Sequence, residues 1–380
     1  MSPPPSPKLR AVCLSLALLY VSAVSALGVL LPAYNFDLIG YVAVAASYEI
    51  TDAAKLHDEV YSAVKRRAPA AQYAKLTAPG FWKEVEQNPR YLAQQVPLYN
   101  VKPLYTWLVY LVHKLGADWV RATVIVSSAA ALFFGLLLLF WFDSPPPYYY
   151  LLAALLLAAV YLPGAARLST PDSLSALMRL AGAWLLVRGR VAAACAVFAA
   201  SVLARPDNII FDLLLFAYLG LMRRLSWRSL AAFTLATLAI YAIGGRSPYG
   251  WPTLMVNTFV NPIANPADQA IQFSVRDYLL ILRWEAIAQL YHQAPAFFAL
   301  CAAFVLLRRA DDIYAHLTVV AALSVAAHFV LFPAMNTRFF LFQYAIIGLS
   351  LIVRLLPELD GSSPPVAPPR TFRARGGATA

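Results

Sequence analysis

The sequence predicts an all-α polytopic membrane protein of about ten transmembrane helices, with amphipathic surface helices in the first outer loop. Three observations carry that expectation. Of 380 residues, 61% are hydrophobic and only 13% charged, too few charges to cover a soluble surface. Apolar runs close to the length of a bilayer core recur along the chain. Runs such as "AALFFGLLLLFWF" do not alternate apolar and polar residues, as the strands of a membrane β-barrel would. The net charge of +11 fits excess Lys and Arg in cytoplasmic loops better than a nucleic-acid partner.

In chain order, the apolar runs fall at 11–33, 119–142, 147–163, 173–187, 191–204, 208–222, 228–245, 289–307, 313–334 and 339–357. The run 191–204 is short for a span, but its flanking arginines have stems long enough to snorkel. The ends, 1–10 and 358–380, are rich in Pro, Ser, Gly and Arg and read as disordered tails. For the first run the alternatives are a retained helix and a signal peptide. Lys8 and Arg10 precede it and "VSA" ends at Ala26, a cleavable pattern, while the apolar stretch continues to Leu31. Cys13, Cys195 and Cys301 each lie inside an apolar run and read as small core residues. The five histidines show no metal-ligand spacing, so no metal or other cofactor is indicated.

The positive-inside rule sets the orientation. With both termini in the cytoplasm, the inner loops are "WFDSPPPYYY", "VRGRV", "MRRLSWRS" and "LRRADD", followed by the tail with Arg370, Arg373 and Arg375. Three of these four loops and the tail are basic. The outer side then receives "NFDLIGY", "YNVKPLYTWL", "LSTPDSL", "ARPDN" and "MNTRF". Residues with chemical potential gather at one membrane boundary.

The first outer loop, 34–118, is too polar to span. In "TDAAKLHDEVYSAVKRRAP", Thr51 or Asp52 caps a helix with Leu56, Val60 and Val64 on one face, ended by Pro69. "GFWKEVEQNPRYLAQQ" holds a shorter helix that Pro89 interrupts. Both are either surface helices at the membrane or solvated loop helices. "VKPLYTWLVYLVHKLG" is apolar but short, hence interfacial or re-entrant. It places Lys102 at a helix start, where the dipole disfavours a cation unless an anion is bound. The second long outer segment, 246–288, reads as a lid followed by an amphipathic helix, with Trp284 and Tyr291 at the interface.

The order of these motifs resembles the GT-C superfamily of integral membrane glycosyltransferases. The likeness is nearest to the bacterial lipid A aminoarabinose transferases and the protein O-mannosyltransferases. A first helix, Asp37 just beyond it, a long outer segment and "KPLYTWL" carry the resemblance, with "STPDSLSALM", "LARPDNIIF" and "NTRFFLFQYAIIGL" following in order. Only Pro103 stands where the family commonly has two prolines, and the chain is short for the family. The resemblance implies transfer of a sugar from a polyprenyl-phosphate donor to a lipid, glycan or protein acceptor. It places the site on the periplasmic face of a bacterial inner membrane.

That chemistry asks for a base on the acceptor hydroxyl and cations on the leaving phosphate. By the resemblance, Asp37 is the candidate base and Asp172 a second catalytic carboxylate; Asp172 alternatively caps its helix. Lys102, Arg205 and Arg338 are the phosphate candidates. For Arg205 the alternative is pairing with Asp207, and for Lys102 and Arg338 it is anchoring to lipid headgroups. Tyr41 and Tyr105 are candidate substrate contacts. Arg179 and Asp212, charged positions inside apolar runs, are expected to pair with each other. The rival functions are a transporter or flippase of a lipid-linked or anionic substrate, a polysaccharide polymerase or ligase, and a non-catalytic relative.

Overall fold

A computed structural model describes residues 7–289, 293–307, 312–334 and 336–360. Among them there is no strand, only helices and one isolated bridge between Ala33 and Leu168. Helix α1 (Pro7–Leu30) opens with Pro7 in its first turn, so residues 7–10 of the expected tail are helical, and it stops just before Pro32. Its buried positions Cys13, Ala17, Val21, Val24 and Gly28 follow one helical stripe, and the rest of its circumference is left for lipid. Gly28 is the close approach: a Cβ there would stand 2.6 Å from the Ala166 carbonyl oxygen and overlap Ser128.

Residues 34–118 fold as a helical layer: α2 (Phe36–Ser47), α3 (Ala53–Arg67), α4 (Ala70–Leu76), α5 (Phe81–Gln87), α6 (Pro89–Tyr99) and α7 (Pro103–Lys114). Asp52 caps α3 as expected, accepting from Lys55 N at 2.9 Å, and α3 ends before Pro69. Pro89 interrupts the second predicted helix and also begins α6, with Asn88 as its cap. Helix α2 is a finding: it has twelve residues with Asp37 in its first turn, and the nine that follow Asp37, Leu38 to Ala46, are all buried. Its apolar side chains, with Val60, Val85, Leu92, Tyr105 and Val109, form a core of their own against the start of the next helix.

The bundle continues with α8 (Trp119–Leu139), α9 (Pro147–Ala159), α10 (Leu162–Arg167), α11 (Asp172–Val187), α12 (Val191–Ser201), α13 (Asn208–Leu221), α14 (Trp227–Gly244), α15 (Gly250–Phe259), α16 (Val275–Gln289), α17 (Gln293–Leu307), α18 (Ile313–Leu331) and α19 (Leu341–Asp360). A 3₁₀ turn, Thr337–Phe340, leads into α19. Since α19 reaches Asp360, the tail expected from 358 begins later; residues 1–6 and 361–380 lie outside the described residues. A second core joins α1, α8, α9, α11, α18 and α19 around Phe134, Tyr149, Leu180 and Tyr344.

Among the described residues, five helices are long and apolar enough to cross a membrane: Pro7–Leu30, Trp119–Leu139, Trp227–Gly244, Ile313–Leu331 and Thr337–Leu356. The bent pair α16 and α17 makes up to six. The expected ten are therefore not all present as full-length spans. The run 147–163 breaks at Tyr161, whose φ is +65°, into α9 and α10. The runs 191–204 and 208–222 yield helices of 11 and 14 residues, the first preceded by the "RGR" turn at Gly189 (φ +75°) and the two separated by "ARPD". Turn residues take length from each end, and at 1.5 Å per residue 14 residues reach only about 21 Å.

Candidate functional site

The bridge between Ala33 and Leu168 joins the connection after α1 to the one between α10 and α11. Ala33 N donates to Arg167 O at 2.8 Å, and Arg167 Nε donates to Leu31 O at 2.7 Å. This sets Asp37, in the first turn of α2, beside Asp172, in the first turn of α11. A further tie brings in the other loops: Leu104 N donates to Leu203 O at 3.1 Å, joining the start of α7 to "ARPDN". The "TRFF" turn delivers Arg338 from the other end of the sequence.

The charged side chains then form one continuous chain. Arg338 Nη2 donates to Asp37 Oδ2 at 2.9 Å, and its buried Nε lies 3.6 Å from Asp172 Oδ2 without a hydrogen bond. Arg205 Nη1 pairs closely with Asp172 Oδ1. Arg205 Nε and Nη2 grip Asp207 at 3.0 and 2.8 Å. His328 Nε2 stands 3.4 Å from Asp207 Oδ2. Phe339 stacks between the cations, 4.4 Å from the Arg205 guanidinium and 5.1 Å from that of Arg338. Thr170 fixes Asp172 by donating to Oδ2 at 2.7 Å.

Within this chain the partners are unequally engaged. Arg205 is 8% exposed, and all three of its nitrogens face carboxylates. Burial weakens the Asp207 charge, but Arg205 and His328 outweigh it and hold the carboxyl well below the usual range. Asp37 differs. Its Oδ2 takes bonds from Arg338 and from Asn35 Nδ2 at 3.0 Å, while its Oδ1 accepts none among the described residues. Lys102 has no carboxylate within ion-pair distance among the described residues; its ammonium lies over the rings of Tyr41 at 5.2 Å and Tyr99 at 5.6 Å. Although it keeps some open surface, Lys102 lies deep among protein atoms, and burial pushes its ammonium down to about 8 against the opposing pull of Asp37.

All seven residues singled out in the sequence lie in or next to this cluster. Tyr41 and Tyr105 meet edge to face at 5.0 Å. Both are buried, and the Tyr105 hydroxyl is shared with Ser127 at 3.0 Å. Sequence reasoning missed His328 and Asn35. The Asn-x-Asp spacing before an apolar run is a capping signal that would have found Asn35, whose Oδ1 accepts from Leu38 N at 3.3 Å. Nothing in the sequence distinguishes His328 from a core histidine.

The expected Arg179–Asp212 pair is not formed. Arg179 lies between the Phe211 and Phe342 rings, 4.5 Å from each, and donates to Asn208 Oδ1 at 3.2 Å. Asn208 sits one turn before Asp212 on α13 and intercepts the guanidinium. Both Asp212 oxygens are buried without a partner. Among the described residues, no group of three His, Cys, Asp or Glu side chains is placed to hold a metal ion.

No protein-family model, curated protein or solved structure matches this chain.

Proposed function

We propose that this protein is a GT-C-type glycosyltransferase that moves a sugar from a polyprenyl-phosphate donor to a lipid, glycan or protein acceptor. One observation carries the reading: a part-exposed aspartate with an open oxygen, Asp37 Oδ1, shares its neighbourhood with an arginine that has spare donors and a lysine that has no carboxylate partner. A base and two phosphate-binding cations at one site are what the chemistry needs. In the reading, the donor phosphate rests against Lys102 and the free edge of Arg338. Asp37 Oδ1 takes the proton of the acceptor hydroxyl as its oxygen bonds to the anomeric carbon. The bond from that carbon to the phosphate oxygen breaks, and the electron pair leaves with the polyprenyl phosphate, whose charge the two cations hold.

Arg205 receives a different part from the other two cations. Its fork is filled by Asp172 and Asp207, so it holds Asp172, one of the two carboxylates beside Arg338. Asp172 orients Arg338 through Nε. Because Arg205 is shared by two carboxylates, Lys102 is the one cation of the cluster without a carboxylate at ion-pair distance among the described residues, and it is free to face the phosphate of a phosphodiester-linked sugar. The reading includes ten crossings, with the short helices α9 and α11 to α13 crossing within the bundle. It also has both termini in the cytoplasm and the site on the periplasmic side of a bacterial inner membrane. The unpartnered Asp212 favours a second reading, transport of an anionic or lipid-linked substrate, because buried charges in a bundle commonly line transport paths.

The test is a transfer assay. Purified protein is mixed with polyprenyl monophosphate carrying a labelled sugar, together with membrane extract as acceptor. Label should leave the donor fraction with wild type and not with Asp37→Asn. Transfer by a folded Asp37→Asn variant at the wild-type rate would remove Asp37 as the base.

A further inference from the structure

Helix α16 is amphipathic in an unusual sense. It buries Ile281 among its large side chains and leaves Val275, Leu279, Leu280 and Trp284 exposed, Val275 by 75% and Trp284 by 64%. Arg276 and Arg283 are exposed as well. They are seven residues apart, so they share one line along the helix, roughly 10 Å from each other. At 100° per residue the four apolar side chains flank that line, Val275 and Leu279 on one side and Leu280 and Trp284 on the other. Among the described residues neither arginine has a carboxylate within ion-pair distance. The nearby Asp277 is taken up by Ser274, whose N and Oγ donate to it at 2.8 and 2.7 Å.

The placement of α16 fits a bilayer surface. It is bent 79° from α17, so if α17 crosses the membrane, α16 runs close to the membrane plane. The Tyr278 hydroxyl bonds to Val330 O, and Trp251 Nε1 donates to Leu331 O at 2.9 Å. Those carbonyls close α18, a few residues before Arg338, so α16 starts at the same end of the bundle as the charged cluster.

We propose that this face of α16 binds the headgroups of anionic phospholipids. Arg276 and Arg283 each take a phosphate, while the flanking apolar side chains enter the acyl boundary. A guanidinium fork suits phosphate oxygens, and Trp is at home at the headgroup level. Without the two cations the same helix would still be apolar enough to lie on a neutral bilayer, so the arginines are what select for negative charge. This inference needs only a membrane-embedded chain and is independent of the sugar-transfer reading.

The experiment is lipid binding to the full-length protein in detergent, comparing phosphatidylglycerol with phosphatidylcholine by native mass spectrometry and by the thermal shift each lipid gives. Wild type should prefer phosphatidylglycerol. At about 1 kcal/mol per basic side chain near an anionic surface, Arg276→Gln with Arg283→Gln should weaken that preference roughly thirtyfold. The Lys pair at the same positions should restore most of it. Both arginines are exposed, so the fold should persist; retained polyprenyl monophosphate binding in the Gln variant would separate this face from the Asp37 cluster. A Gln variant with the wild-type preference for phosphatidylglycerol, or a wild type with no preference, would overturn the proposal.

Discussion

At the scale of single residues, the unequal engagement of three cations decides what each substitution does. Arg205→Gln leaves Asp172 and Asp207 without their shared partner, and breaking such a buried arrangement costs about 3–5 kcal/mol. A large loss of thermal stability is expected, measured by the unfolding midpoint in detergent. Arg338→Gln removes one bond to a part-exposed carboxylate and should lower phosphate affinity far more than stability. Lys102 gives a pH signature, because burial lowers its ammonium to about 8 from 10.5. Between those values the folded state holds a neutral amine while the unfolded chain still binds the proton. Stability from this group therefore rises with pH across that window. Phosphate binding runs the other way: the cation is present below about 8 and lost above it. Titration of polyprenyl monophosphate affinity against pH should show a fall beginning near 8, and Lys102→Arg should abolish that fall. A pH-independent affinity in wild type would take Lys102 out of the phosphate site. Much of this was legible in the sequence, since Asp37, Lys102, Asp172, Arg205 and Arg338 sit in short polar motifs between apolar runs. Their division of labour was not. Whether an arginine is filled or free depends on loops far apart in the chain, brought together by ties such as the Ala33–Leu168 bridge and the Leu104–Leu203 bond.

At the scale of elements, the long connection 246–288 works as a strap. Gln94 and Gln95 of α6 hold it: Gln94 Nε2 donates to Asp268 at 2.9 Å and Gln95 Nε2 to Ile263 O at 2.8 Å, while Arg90 pairs with Asp268 at 2.6 Å. On either side of that stretch it is tied to α18, through Trp251 before it and Tyr278 after it. The strap therefore links the helix that precedes Lys102 to the helix that precedes Arg338. Asp268→Ala should raise proteolytic cleavage within 260–274 several-fold without changing the unfolding midpoint, because most of the ties it removes are part-exposed. Unchanged cleavage would mean that the backbone ties alone hold the strap. The close contact at Gly28 makes the opposite prediction. Gly28→Val has no room against Ser128 and Ala166 and should cost roughly 1–3 kcal/mol or more by pushing α1 off α8 and α10. The sequence showed the strap as a long Pro- and Asn-rich loop, and it showed α3 with its cap and α7 starting at Lys102. It did not show α2 as a helix, because the apolar stretch between Asp37 and Ser47 is too short to stand out as a span.

At the scale of the whole molecule, composition alone was enough to indicate an all-α membrane protein, and hydropathy alone was not enough to count its crossings. Helix length departs from the apolar runs at turn residues such as Tyr161, which divides the run 147–163 into two helices without lowering local hydropathy. What unites the long and short helices is the end of the bundle where their polar connections meet. There Asp37, Asp172, Asp207, Arg205, Arg338 and Lys102 balance three carboxylates against three cations, with an added anion held by the cation left unpaired. The most direct test of sugar transfer from a lipid phosphate is therefore the binding of polyprenyl monophosphate to the detergent-purified protein, with Lys102→Ala and Arg338→Ala beside wild type. The account predicts saturable binding by wild type and a loss of at least tenfold in each variant, about 1.4 kcal/mol apiece. Absence of binding by wild type, or equal affinity in all three proteins, would contradict it.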